Sequence, residues 1–195
     1  MDGSPFSLGG NGESIAHGAL HWKGFSFPDL YLPPATGGGC VASGPFQSDT
    51  WTINLGPVTN LPAGPDDGLG YNPRCLQRDL SLLYSEKAGR PTTVAHLLET
   101  CTDLDCWDNE LQAPNGTHFS GHATVGLIAF DAYASPVDPV FYLHHAQVDR
   151  MWTIWQNKED QAARKLMTSG TETPVNGKFG SCSYFFEDEM LLSAV

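Results

Sequence analysis

The chain has 195 residues, 41% apolar and 11% aromatic, enough for one well-packed domain and short for two. Lys plus Arg number 10 against 22 Asp plus Glu, a formal net charge of -12 without a basic cluster, which excludes nucleic acid and anionic membrane surfaces as partners. No apolar run approaches the ~20 residues of a membrane helix, so a soluble, membrane-free protein is expected.

The opening residues carry neither the basic stretch nor the apolar core of a secretion signal, so the protein is either intracellular or starts further upstream, and its compartment stays open. Most of the 21 glycines and 14 prolines fall within residues 1–75, where long regular helices cannot persist. Apolar anchors are spaced through that stretch: Trp22, Phe25, Phe27, Leu30, Tyr31, Phe46, Trp51, Ile53 and Leu55. Ordered loops wrapped on a core are therefore expected, with a short strand in Thr50–Leu55. The five cysteines (Cys40, Cys75, Cys101, Cys106 and Cys182) form no CxxC pair, which argues against a zinc knuckle. A Cys101–Cys106 bridge suits an oxidising compartment, but buried free thiols are the favoured expectation.

From residue 76 the texture turns helical. Leu76–Ala88, Thr92–Thr102 and Leu104–Ala113 show apolar residues at helical spacing, with Gly89 as a stop and Pro91 as a start. The strongest helix is expected from Asp138, as N-cap, through Pro139 to Lys158, followed by a short one over Glu159–Met167. The expected class is mainly α: one domain, loop-rich over 1–75 and helical over 76–195.

Histidines cluster in the helical half. His118 and His122, four apart, put two imidazoles on one helix face, the geometry two ligands of one metal need. On the Asp138 helix, Phe141, Val148, Trp152 and Trp155 mark a buried stripe flanked by His144 and His145, either of which has the geometry to supply a third ligand. Phe119 stands where a zinc protease carries its general-base Glu, and an all-imidazole donor set suits copper or zinc better than magnesium, calcium or facial-triad iron.

His118-Phe-Ser-Gly-His122, followed by Asp138-Pro-Val-Phe-Tyr-Leu-His-His-Ala-Gln-Val-Asp-Arg-Met-Trp152, resembles the second copper motif of the tyrosinase, catechol oxidase and haemocyanin group. Asp2-Gly-Ser-Pro-Phe-Ser-Leu-Gly-Gly-Asn-Gly and Gly37-Gly-Gly-Cys40-Val-Ala-Ser-Gly-Pro-Phe46 are similar to its fungal-type tyrosinases. The resemblance implies that His118, His122 and His145 bind one copper, with His144, Asp149 and Arg150 supporting the ligands from behind and Asp138 capping the helix. It also implies a second copper with its own three histidines, a phenolic substrate, dioxygen, and an ortho-quinone product. That other site belongs before the first residues of this chain, so half of a four-helix copper bundle is expected, with exposed apolar surface and weak stability or association in consequence. His17 and His21, also four apart, are a minor alternative for replacing the missing ligands, weakened by Gly18 between them; His96 has no partner on its own helix and reads as a surface or capping residue. Phe119, where many members of the group carry Asn, favours diphenols over monophenols. The competing expectations are a tyrosinase-like oxidoreductase impaired as an isolated chain, a silent copper-binding remnant, and a haemocyanin-like oxygen-carrier module.

Overall fold

The structure, a computed structural model, describes residues 7–22, 30–58 and 61–158. Phe25, Phe27, Cys182 and the helix expected over 159–167 lie outside the described residues. The first half is built of short antiparallel ribbons. β1 (Gly12–Ser14) pairs with β4 (Gly38–Val41), β2 (Leu20–Trp22) with β3 (Leu30–Leu32), and β5 (Ile53–Asn54) with β6 (Pro73–Arg74). The Thr50–Leu55 strand is thus realised over Ile53–Asn54, and the frequent Gly and Pro keep every strand short. Helices follow: α1 (Leu82–Lys87), α2 (Pro91–Thr100), α3 (Leu104–Gln112), α4 (Thr117–Val125) and α5 (Val140–Gln156). No helix among the described residues is long and apolar enough to cross a membrane.

Helical spacing misplaces one element. Residues 76–81 are not helical; they run as a backbone-bonded segment between the ribbons and α4. Val41 N–H donates to Leu76 O (2.8 Å), Gly38 N–H to Arg78 O (2.9 Å), and Asp79 N–H to Val125 O (3.1 Å). These long-range bonds outweigh local helix propensity, and α1 starts only at Leu82, where the Ser81 hydroxyl accepts from Leu83 N–H.

A Cys101–Cys106 disulfide overturns the free-thiol expectation. Beside the Cys40–Gln77 bridge, Cys40 and Cys75 form a disulfide, and Cys101 at the end of α2 bonds Cys106 in the first turn of α3. That turn is set by Asp103, whose carboxylate accepts from Cys106 N–H at 2.8 Å.

Two kinds of interior result. Val41, Ile53, Leu55 and Leu76 from the ribbon region pack with Ile128 and Ala134 from the connection between α4 and α5. Leu97 of α2, Trp107 and Leu111 of α3, and Met151 and Trp155 of α5 form a second, aromatic core. Beside these apolar clusters the chain buries an ion pair completely. Arg78 donates through Nε and Nη2 to the two carboxylate oxygens of Asp138, both at 2.8 Å, and through Nη1 to Leu8 O and Gly10 O. Asp138 also accepts from Val140 N–H at 2.9 Å, so the expected cap does bond the first turn of α5 while fastening the glycine-rich loops to it.

Exposed apolar surface is present as well. Leu82, Leu83, Tyr142, Leu143 and Ile154 are exposed, and a groove of about 780 Å³ runs between α2, α4 and α5 past Val94, Leu98, Val140, Leu143 and Met151.

Candidate metal centre

α4 presents two faces. Phe119 and Ala123 are buried against Tyr84 and Phe130, with edge-to-face ring contacts at 5.5 Å, and the Ser120 hydroxyl donates to Tyr84 O at 2.9 Å. With that face fixed, His118 and His122 project together on the other. Gly126 ends the helix at φ +72 and ψ -176, a conformation open essentially only to glycine, and returns the chain through a 3-10 turn, Leu127–Phe130. Ala129 O from that turn lies 2.6 Å from His122 Nδ1 and accepts its hydrogen, leaving the His122 Nε2 lone pair facing outward.

α5 brings the other imidazoles. Val148, Trp152 and Trp155 of the expected stripe pack toward α2 and α3, and the Trp155 indole donates to Cys101 O at 2.8 Å. Phe141 instead turns to the histidines and stacks on His145, with ring centroids 4.0 Å apart. His118 Nε2 and His122 Nε2 are 3.1 Å apart, and His122 Nε2 and His145 Nε2 are 3.2 Å apart. His144 takes a different course: its Nε2 donates to His118 O at 2.9 Å, and its ring lies so close to α4 that a side chain at Gly121 would reach to 2.1 Å from it. Ligand atoms of all four histidines fall within 4.8 Å, the only group of three or more potential metal ligands among the described residues.

This donor set fits a metal of the copper or zinc class. Two imidazole nitrogens each ~2.0–2.1 Å from one ion at near-tetrahedral angles stand roughly 3.3 Å apart, close to the observed separations. Burial pushes the His118 imidazole well below its usual pKa, reinforced by its three neighbours. Burial, then His144, lowers His122 to about 3; burial, then His145, lowers His144 to about 4; burial also lowers His145. All four are neutral at neutral pH, the form in which imidazole binds a metal. A cavity of about 330 Å³ opens beside His118, His122 and His145 and is walled by Gln112, Phe119, Ala132 and Phe141.

The remaining residues singled out from sequence lie elsewhere. His17 Nε2 pairs with the Asp79 carboxylate at 3.0 Å, and the same carboxylate accepts from Ala35 and Gly37 N–H, so His17 belongs to the loop framework. His21 stacks on Tyr31, and His96 is exposed on α2. Asp149 and Arg150 are exposed, and among the described residues Arg150 reaches Gln147 on its own helix, at 3.5 Å. Support from behind the ligands comes instead from Gln112, whose Oε1 lies 2.5 Å from His118 Nδ1, and from the Ala129 carbonyl. Neither contact was visible in spacing, since each crosses a turn; Gly121, set between the paired histidines, was the one local sign of close approach.

A partly buried cluster of neutral imidazoles on two packed helices is a donor set for a histidine-only metal site. Residues 1–158 match the family model for the common central domain of tyrosinase, and the chain belongs to the tyrosinase family. It is 37% identical over 191 residues to the tyrosinase-like protein orsC of Emericella nidulans, covering 91% of this chain and 50% of that protein. It is 36% identical over 184 residues to tyrosinase P of Aspergillus terreus, covering 89% of this chain and 51% of the relative. A solved polyphenol oxidase variant from Thermothelomyces thermophila matches with a TM-score of 0.77 and 36% identity, over 93% of this chain and 52% of that one. The chain thus spans about half the length of these relatives.

Proposed function

We propose that His118, His122 and His145 bind one copper ion, and that this site serves a tyrosinase-type oxidation of phenols or catechols to ortho-quinones with dioxygen as the electron acceptor. The observation that carries the reading is the convergence of their three Nε2 atoms at 3.1 and 3.2 Å. Bound copper would supply a one-electron redox centre with a face open to substrate and dioxygen. The chain's own residues would do the rest: Ala129 and Gln112 fix the imidazoles from behind, Phe141 packs His145, and the aromatic-walled cavity receives a planar ring. Phe119 brings no proton acceptor to that cavity, which favours diphenols, whose oxidation needs no ring hydroxylation. Among relatives, the N-acetyl-6-hydroxytryptophan oxidase ivoB of Emericella nidulans, 36% identical over 162 residues, is named for oxidation of a hydroxylated aromatic compound.

A second reading, a copper-binding chain without turnover, draws support from the single ligand cluster among the described residues, because quinone formation removes two electrons and one copper accepts one. In the isolated 195-residue chain this second behaviour is expected. Metal analysis after copper loading should give one copper per chain, lost in His145→Ala and kept in His17→Ala, with little quinone formed from a simple catechol. No bound copper would sink the metal reading. Brisk catechol oxidation abolished by His145→Ala would instead overturn the expectation of a silent half-site.

A further inference from the structure

We propose that Asn115 is an acceptor for an N-linked oligosaccharide, attached as the chain folds in an oxidising, secretory compartment. Asn115-Gly116-Thr117 has the Asn-x-Thr acceptor pattern and lies in the turn from α3 to α4. Asn115 is exposed there, and its side chain makes no hydrogen bond among the described residues. A bulky, hydrated sugar on its amide nitrogen therefore breaks no contact of the fold.

The fold accounts for the middle residue of the three and leaves the outer two unexplained. Gly116 N–H donates to Ala113 O at 2.6 Å, and a Cβ at Gly116 would collide with the carbonyls of Glu110 and Leu111, so the turn needs glycine. Thr117 is the first residue of α4, and its hydroxyl oxygen is buried without a hydrogen-bond partner among the described residues. Such a hydroxyl lowers stability, and valine would fill the same space without it. Its use lies before folding: glycan transfer requires a hydroxyl two residues beyond the asparagine, and only a chain not yet packed exposes this one. In the transfer, the bond from the first sugar carbon to the diphosphate of a lipid-linked oligosaccharide breaks. That carbon bonds to Asn115 Nδ2, and the amide gives up one proton as the lipid diphosphate leaves.

The cysteines point to the same compartment independently. Cys40–Cys75 and Cys101–Cys106 are both disulfides, which form and persist in an oxidising lumen, the place where such oligosaccharides are transferred. Cys101–Cys106 closes at the start of α3, and Asn115 follows just beyond the end of that helix. One short stretch thus carries both marks of that compartment, a disulfide at the entry to α3 and an exposed acceptor past its exit.

The test is mass spectrometry of the full chain purified from the cells that make it, before and after peptide-N-glycosidase. The enzyme should lower the mass by that of one oligosaccharide and leave an aspartate where the glycosylated asparagine stood. In the same cells, Asn115→Gln and Thr117→Val should each lose the shift, and Thr117→Ser, which keeps the hydroxyl, should retain it. An unmodified Asn115 in the unsubstituted chain would overturn the proposal, as would a mass shift that survives Asn115→Gln or Thr117→Val.

Discussion

The ribbon region, 7–81, and the helical region, 82–156, are held together by different physics. In the helical region apolar and aromatic side chains do the work: Trp107 lies 5.0 Å from Trp155 and 5.8 Å from Trp152, ring to ring, and the same contacts seat the helix that carries His145. In the ribbon region the strands are too short to support themselves, and order comes from a disulfide, the Asp79 carboxylate and the buried Arg78–Asp138 pair. Glycine-rich chain can thus be ordered without regular structure when buried polar groups take up its backbone donors and acceptors.

The largest expected effect tests whether the ribbon region is integral or merely draped over the helices. Arg78→Leu leaves the Asp138 carboxylate buried without its partner and strands Leu8 O and Gly10 O, and it should cost about 3–5 kcal/mol in denaturant unfolding. A loss below ~1 kcal/mol, the range of an exposed ion pair, would mean that the ribbons contribute little to the fold.

The disulfides sharpen the comparison, one in each region. Cys40–Cys75 joins residues 35 apart in sequence and Cys101–Cys106 residues 5 apart. On a chain-entropy basis the first is worth roughly 4 kcal/mol and the second roughly 2. Cys40→Ser should therefore lower thermal stability by about twice as much as Cys101→Ser. Equal losses would indicate that loop closure is not what the longer bridge contributes.

Legibility in the sequence follows the same divide. α2, α3 and α5 could be read closely because their burial pattern repeats at helical spacing within a few residues, and the paired histidines of α4 share one face for the same reason. Residues 76–81 misled: Leu76, Leu80 and Leu83 mimic helical spacing, while the bonds that decide the matter come from Gly38, Val41 and Val125, far away in the chain. Spacing alone also left His144 and His145 equivalent; in the fold His118 O takes the His144 Nε2 hydrogen, whereas His145 Nε2 meets His122 Nε2. Asp149 and Arg150 looked like supports because they stand near His145 along the chain, yet helix rotation carries them to solvent.

The smallest effect concerns pH and the platform beneath the site. Burial, opposed by the Gln112 hydrogen bond and helped by the nearby Asp105 charge, raises Asp108 from 3.8 to about 6. Between those values the folded chain holds a proton that the unfolded chain has lost, so Asp108 makes folding stability fall as pH rises from about 4 to about 6. The group is only half-buried, so solvent screening reduces its share to about 1 kcal/mol, well below full linkage. Asp108→Asn removes the titration while leaving a carbonyl for Gln112, so the variant's stability should be flatter with pH across this window and slightly higher at neutral pH. Unfolding curves at pH 4, 5 and 6 for the two proteins test this, and identical pH slopes would show that the carboxyl titrates as if in water. Such a result would make α3 a more solvated platform than its packing on Trp155 indicates, and would narrow the contrast between the aromatic core and the polar-stitched ribbons.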